Sequence, residues 1–541
     1  MPYTRWNIGS PLPDIVGYGK LASRFLPRRG LSTPEEIRAF FTIGPERLHD
    51  PLLLPDMNAA VTRIKLALSR NETVGVYGDY DADGVTATCV LVRALRGWGA
   101  RPVWYIPDRE SDGYGLHGKA LEELYRKGVS LLITVDTGVT ACEAVRAANG
   151  LGMDIIVTDH HECREELPSA VAVVDPYRPD SVYPFTGLAG VGVAFKLVCA
   201  VEGQWRDPLI RFADIVALGT VADVMPVTGE NRLLITQGLK SLSNPRNPGL
   251  RALMRETEVN EVTADTVGYV LAPRINAAGR VGRADTALEL LLTDDPAEAG
   301  ELARTLCELN LLRQAKENDI LDKSLASLDE SSPVLVSAGE NWPVGVIGIV
   351  AAKLAERYER PAFVLSLEGG AARGSARSMR GCHLTGLLSQ VSHLLEEYGG
   401  HEGAVGFTLR RDMVETFRQS LCRLCGPPPE TVLEVDAEVE PEWLNTEEIR
   451  ELEAFAPYGP GFPPPIFCLT RVRPVSITPI GNGKHLRAVF EKGKTRLNAV
   501  RFNQTAFPNA PLLDVAFRAE INSFRGHRQP QLRLIDVRPS E

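Results

Sequence analysis

Between Thr73 and about Asp175 the chain alternates short apolar, β-branched runs with longer amphipathic stretches. The runs are Val74 to Tyr77, Pro102 to Ile106, Leu131 to Val135, Ile155 to Val157 and Val171 to Val174. Each is short and apolar at successive positions, which suits strands buried on both faces. Val85 to Gly97, Gly118 to Lys127 and Thr140 to Asn149 lie between the first four and have helical spacing, the rhythm of βαβ units. The pattern predicts a doubly wound α/β domain with a parallel sheet. In such a sheet ligands bind beyond the carboxyl ends of the strands, so the residues just after each run are candidates for chemistry.

Helical periodicity continues over Val191 to Val201, Pro208 to Leu218 and Arg232 to Ser243. A long polar-apolar stretch from Asp285 to Leu328 predicts a connecting helix or helix pair. A second α/β pattern follows: a strand at Pro333 to Val336, a helix at Val346 to Tyr358, a strand at Ala362 to Leu365, and a Gly-rich turn at Gly399-Gly400-His401. After the Pro/Gly linker Gly426 to Pro429 and a rigid loop from Pro457 to Pro465, short alternating strands predict a small β-barrel. The chain thus divides into an N-terminal segment over 1–50, a doubly wound domain over 51–245, a helical connector over 246–330, a smaller α/β domain over 331–426 and a barrel over 427–541.

A length of 541 residues agrees with this division, since one core rarely organises so long a chain. Neither a membrane span nor a secretory signal is recognisable, so the expected address is cytoplasmic. The nine cysteines sit in apolar segments and read as free thiols; Cys422 and Cys425 form a lone C-x-x-C, short of the four ligands of a structural zinc. A formal charge of -10 argues against a polyanionic partner, but Thr470 to Glu541 carries thirteen Lys plus Arg against five Asp plus Glu. Arg471, Arg473, Lys484, His485, Arg487, Lys494 and Arg496 there interleave with Phe490, Phe502 and Phe524, a composition suited to single-stranded nucleic acid.

The first strand runs into Asp79-Tyr80-Asp81-Ala82-Asp83-Gly84, three carboxylates at alternate positions. Charges this close repel unless a cation neutralises them. An EF-hand is excluded, because Val90 stands at the twelfth position from Asp79, where that loop needs Glu. Further groups follow other elements: Asp136 after Val135, Asp159-His160-His161 after Thr158, and Asp223 after Ala222. Oxygen-rich sites with one imidazole suit Mn²⁺ or Mg²⁺, and two such ions sharing a carboxylate serve phosphoester hydrolysis.

On these residues the chain resembles the DHH phosphoesterase superfamily and, over nearly its whole length, its RecJ-like branch of single-strand-specific exonucleases. Pro273 to Arg280, Gly374 to Ser378, Gly399-Gly400-His401 and the loop from Pro457 to Phe467 carry the resemblance further. It implies a DHH domain, a DHHA1 domain and an OB-fold, acting 5′ to 3′ on single-stranded DNA in repair and recombination. It also implies two metal ions on Asp81, Asp83, Asp136, His160 and Asp223, with Asp136 as the bridge, His161 at the scissile phosphate or assisting the water, and Asp79 as a ligand or a support for one. Arg109, Ser375 and Arg377 would take a 5′ phosphate, Tyr114 would stack on a base, and Arg280 and His401 would face the cleft. The expected partners are single-stranded DNA and a single-strand-binding protein or helicase, with the chain a monomer. Rival readings are a relative acting on short oligonucleotides, a non-catalytic DNA-binding scaffold, and a polyphosphate or pyrophosphate hydrolase. The basic barrel and the complete set of acids and histidines argue against them.

Overall fold

The computed structural model describes the chain except for residues 1–2, 43, 45–46, 110, 114, 379–381, 427–429, 505, 525–526 and 541. It divides into two compact units, residues 44–428 and residues 1–43 with 429–541.

The larger unit opens on a five-stranded sheet of β1 (Thr73–Gly78), β2 (Val103–Tyr105), β3 (Val129–Val135), β4 (Asp154–Thr158) and β5 (Ala172–Val174). All neighbours are parallel and the order is β2-β1-β3-β4-β5, so the winding reverses between β1 and β3. Val76, Leu131, Ile133, Ile155 and Ile156 are fully buried, as strands covered on both faces require. Gly78 pairs with Val135, Val135 with Thr158, and Thr158 with Val174. The next residue on each of those strands is therefore an aspartate leaving the sheet at one level: Asp79, Asp136, Asp159 and Asp175.

Three helices carry other parts of the site. Helix α1 (Ala82–Gly97) follows β1 directly, and its N-cap is Asp81, whose carboxylate accepts from the N–H groups of Asp83 and Gly84 at 2.9 and 3.1 Å. Helix α2 (Gly190–Glu202) is buried nearly all round, and α3 (Arg206–Ala222) ends on Asp223. A π-helical turn at Val267–Leu271 leads into α4 (Ala272–Val281). The connector is a helix pair, α5 (Asp285–Leu292) and α6 (Pro296–Ser327). At 32 residues α6 is about 48 Å long.

The same unit holds a second sheet of β6 (Leu335–Glu340), β7 (Ala362–Glu368), β8 (Ala371–Arg377), β9 (Leu395–His401) and β10 (Ala404–Arg410), in the order β9-β10-β8-β7-β6. Helix α7 (Val344–Tyr358) packs on it. The expected turn at Gly399-Gly400-His401 is instead the end of β9, where Gly399, Gly400 and His401 pair with Gly406, Val405 and Ala404. The hairpin bend falls two residues later, because the ladder satisfies the main chain through both glycines.

In the smaller unit β11 (Phe467–Ile480), β12 (His485–Lys492), β13 (Thr495–Arg501), β14 (Leu513–Phe524) and β15 (His527–Pro539) run in the order β11-β12-β13-β15-β14 and close through β14 and β11. Phe490 is fully buried inside this barrel, so it packs the core. The strand Arg5–Ile8 pairs in parallel with Val432–Val435. Trp6 Nε1 donates to the buried Asp536 carboxylate at 2.8 Å, tying that strand to the barrel. No helix among the described residues is long and apolar enough to cross a membrane.

Candidate metal centre

At the switch point between β1 and β3, seven side chains supply ligand atoms in three groups: Asp83, His160 and Asp223; Asp79, Asp81 and Asp136; and Asp136, His160 and His161. Within each group the atoms lie within 4.8 Å of one another. Asp136 belongs to two of them, and its backbone is left-handed, with φ 59°. That conformation is uncommon outside glycine and marks a position held by its surroundings.

Each side chain is aimed from a different element. Asp83 accepts from the N–H groups of Gly190 and Val191 at 2.6 and 2.9 Å, so the start of α2 fixes it. His160 Nε2 lies 3.0 Å from Asp136 and 3.7 Å from both Asp83 and Asp223. Its other side is engaged by the main chain of Leu188. Burial, with charge on His161 beside it, holds His160 down at about 4, so at neutral pH its Nε2 offers a lone pair toward the acids.

Asp159 does a different job. It accepts from the N–H groups of Val139 and His160 at 2.9 and 2.8 Å and from His161 Nδ1 at 2.7 Å. Although burial pulls the His161 imidazolium down, its bond to Asp159 prevails and lifts it to about 9. The ring of His161 lies nearly parallel to that of His401, with centroids 6.3 Å apart and planes 10° from coplanar. The carboxylate on Nδ1 both orients the ring and favours its protonated form.

The donor set fits a cation. Burial first, then the neighbouring acids, pushes Asp79 up to about 8, Asp83 to about 7 and Asp223 to about 9, and Asp136 well above the usual range. Asp79 Oδ1 is buried with no hydrogen-bond partner among the described residues. A Cβ on Gly190 would stand 2.5 Å from Asp136 Cβ and 2.7 Å from its Oδ1, so glycine keeps space open beside that carboxylate. Asp175, at the fourth strand end, is fully buried and pushed up to about 7 by burial and Asp159.

A cationic cluster belongs to the same unit. The guanidinium of Arg109 lies 4.0 Å from the ring centroid of Tyr80. Arg280 Nη1 donates to the Gly345 carbonyl at 2.8 Å, and Arg377 Nη1 donates to Ser375 Oγ at 3.0 Å. Burial and then Arg109 lower both arginines, Arg280 to about 9, as expected where like charges gather without an anion. A Cβ on Gly348, in the first turns of α7, would be 3.0 Å from Ser375 Oγ, so this helix start faces the cluster. Tyr114 lies outside the described residues.

Sequence reasoning overlooked several supports. Asn276 caps the main-chain N–H of Ala82 at 2.9 Å, and a Cβ on Gly279 would meet the Tyr80 carbonyl at 2.4 Å. The segment Pro273 to Arg280 therefore braces the Asp79 to Gly84 loop from behind. Gly190 could have been noticed from the glycines at 187, 190 and 192 before an apolar helix. Cys422 and Cys425 pack in the apolar core of the second sheet, outside every metal-competent group among the described residues.

A doubly wound sheet with this Asp and His set at its switch point defines a phosphoesterase of the DHH class, and residues 73–220 match the DHH family, N-terminal domain. Residues 331–426 match the DHHA1 domain and 435–536 the RecJ OB domain. The chain belongs to the RecJ family. It is 37% identical to the single-stranded-DNA-specific exonuclease RecJ of Bacillus subtilis (strain 168), over 99% of this chain and 71% of that one. Crystal structures of RecJ from Thermus thermophilus in complex with Mn²⁺ and with Mg²⁺ superpose with TM-scores of 0.86 and 0.81 at 31% and 30% identity. Each superposition covers 99% of this chain, with 80% of the Mn²⁺-bound chain and 79% of the Mg²⁺-bound one.

Proposed function

We propose that the chain is a single-stranded-DNA-specific exonuclease that hydrolyses phosphodiester bonds from the 5′ end with two divalent ions. The observation that carries this reading is the sharing of Asp136 between two ligand groups at one sheet edge. Asp81, Asp83, Asp136, His160 and Asp223 would hold the ions, with Asp79 completing or supporting the set. Mn²⁺ or Mg²⁺ bound there supplies an activated water and neutralises the leaving oxygen.

The chain's own residues do the rest. His161, lifted to about 9, keeps its proton at neutral pH, and Asp159 engages Nδ1. Nε2–H then donates to a non-bridging oxygen of the scissile phosphate. Direction enters through Arg109, Arg280, Ser375 and Arg377, whose charges and hydroxyl suit a terminal phosphate better than an internal diester. Holding a 5′ phosphate there makes the strand shorten from 5′ to 3′. Trimming exposed single strands assigns the chain to DNA repair and recombination, downstream of a helicase or single-strand-binding protein that presents them.

The test is an assay on 5′-phosphorylated oligonucleotides, single- and double-stranded, labelled at either end, with Mn²⁺, Mg²⁺ or chelator. The expected result is mononucleotide release from the 5′ end of single strands only, and none in chelator. Equal attack on duplex, or release from the 3′ end first, would overturn it.

A further inference from the structure

Arg109 is aimed by its main chain. Its guanidinium rests on the Tyr80 ring, and its Nε is buried with no hydrogen-bond partner among the described residues. The direction of the side chain is therefore set by the turn that carries it, over residues 108–112. The N–H groups of Asp112 and Gly113 donate to the Asp108 carbonyl at 2.9 and 3.2 Å, drawing the two ends of this turn together.

The Asp112 side chain braces the turn. Its Oδ2 accepts from the Asp108 N–H at 2.9 Å and from the Tyr105 hydroxyl at 3.1 Å, and its Oδ1 accepts from Ser111 Oγ at 3.3 Å. These donors, the Asp108 N–H foremost, hold the Asp112 carboxyl below the usual carboxylate range, so it is an anion at neutral pH. Burial and the bond to Asp112 push Tyr105 up to about 12, so its hydroxyl keeps the proton it donates. Tyr105 is anchored in turn by Tyr77, its neighbour across the β1–β2 ladder. Their rings stack with centroids 5.4 Å apart and planes at 23°, and Tyr77 is fully buried. The Tyr77 hydroxyl donates to the Gly115 carbonyl at 2.8 Å, so this pair of tyrosines holds the loop on both sides of the turn. Packing adds little there. Tyr105, Asp108, Ser111 and Asp112 line an open groove of about 1060 Å³, shared with Asp285 and Glu289 of α5. With that side unpacked, the shape of the turn depends on its hydrogen bonds.

We propose that Asp112, anchored by Tyr105, is a positioning residue for end recognition: it holds the turn over 108–112 in the shape that presents Arg109 to a terminal phosphate. This rests on the reading of Arg109 as a contact to that phosphate. Asp112 does not meet the substrate, so its loss acts through Arg109 alone.

The experiment measures binding by the full chain in chelator, so that it does not depend on turnover. The probes are two oligothymidylates labelled at the 3′ end, one with a 5′ phosphate and one with a 5′ hydroxyl. Asp112→Ala is expected to lower the preference for the phosphate end about fivefold. Asp112→Asn keeps a carbonyl acceptor and Tyr105→Phe keeps the ring stack, so each should lose only about twofold. With Mn²⁺ the same losses should appear in KM. Adding Asp112→Ala to Arg109→Ala should lower the preference no further, because the two act through one guanidinium. A further loss in that double variant overturns the positioning role. So does a wild-type preference in Asp112→Ala where Arg109→Ala has lost it, or an equal weakening of both probes, which marks a merely structural acid. Should the alanine variant fail to fold, Asp112→Asn and Tyr105→Phe, each combined with Arg109→Ala, carry the same test. A wild-type preference in Arg109→Ala itself refutes the phosphate reading, and the positioning role with it.

Discussion

The Nδ1 of His161 lies 2.7 Å from Asp159 Oδ1, and the same carboxylate takes main-chain N–H groups from Val139 and His160. Asp159 therefore commits its oxygens to the loop and to a histidine, and leaves the cation to other acids. Asp159→Asn should lower kcat about 10- to 100-fold, the usual effect of losing such a support, with metal affinity reduced less. The pH profile is the sharper readout. With the folded His161 at about 9, above its ordinary 6.5, the protonated ring stabilises the fold below about pH 6.5, and that contribution is lost as pH rises through 9. Activity of the wild type should fall on an alkaline limb near 9, and the limb should move to lower pH in the variant. An unmoved limb would remove His161 as its source.

Asp136→Ala should abolish hydrolysis while single-strand binding, measured by anisotropy in chelator, stays near the wild-type value. The reason is its membership of two ligand groups at once. Turnover at a normal rate would refute the shared-ligand assignment.

Stability should depend on pH and metal together. Asp79, Asp83 and Asp223 sit at about 8, 7 and 9 against an ordinary 3.8, so the folded chain binds more protons than the unfolded one between those limits. Their stabilising contribution is full below about pH 4 and is lost as pH rises through 7 to 9. Calorimetry in chelator should show Tm declining from about pH 6 to about pH 9, and added Mn²⁺ should raise Tm more at the upper end. A Mn²⁺ effect that shrinks with pH would contradict this.

Gly190→Ala should cost metal affinity while leaving every ligand residue unsubstituted. Its new methyl group would fall 2.5 Å from Asp136 Cβ, far inside contact distance, so either Asp136 or the start of helix α2 must shift. Calorimetric titration with Mn²⁺ checks it, and unchanged affinity would show that the cradle is not tight.

Arg109→Ala and Arg377→Ala should each reduce the preference for a 5′-phosphorylated end over a hydroxyl end, by roughly tenfold if one charge-assisted hydrogen bond is lost. Competition between the two substrates in one reaction reads the ratio directly. An equal ratio in wild type and variants would remove the phosphate cradle.

The catalytic sheet was legible because its strands are buried on both faces and end on acids, two features that periodicity and charge reveal together. Asp136 and Asp159 could be placed from their runs alone. Asp175 could not, since a single acid before Pro176 looks like any turn until the register sets it level with the other three. The hairpin at Gly399 to His401 was misread for the opposite reason: glycine pairs suggest bends, and only the partner strand shows that the ladder runs through them. Arg280 and Arg377 were found through resemblance, because no local pattern tells that residues so far apart in the chain will share a cluster.

The pairing of Arg5–Ile8 with Val432–Val435 joins main-chain groups 427 residues apart. During synthesis the Arg5–Ile8 strand cannot pair until Val432–Val435 has been made. The larger unit can close first, as domains generally do in order of emergence. The Trp6 indole, buried against Asp536 in the finished fold, likewise gains that partner only once Asp536 has been made. Assembly of the barrel unit thus waits on residues made after the larger unit, and a chain truncated before Val432 is expected to build its catalytic sheet while the Arg5–Ile8 strand has no strand to pair with.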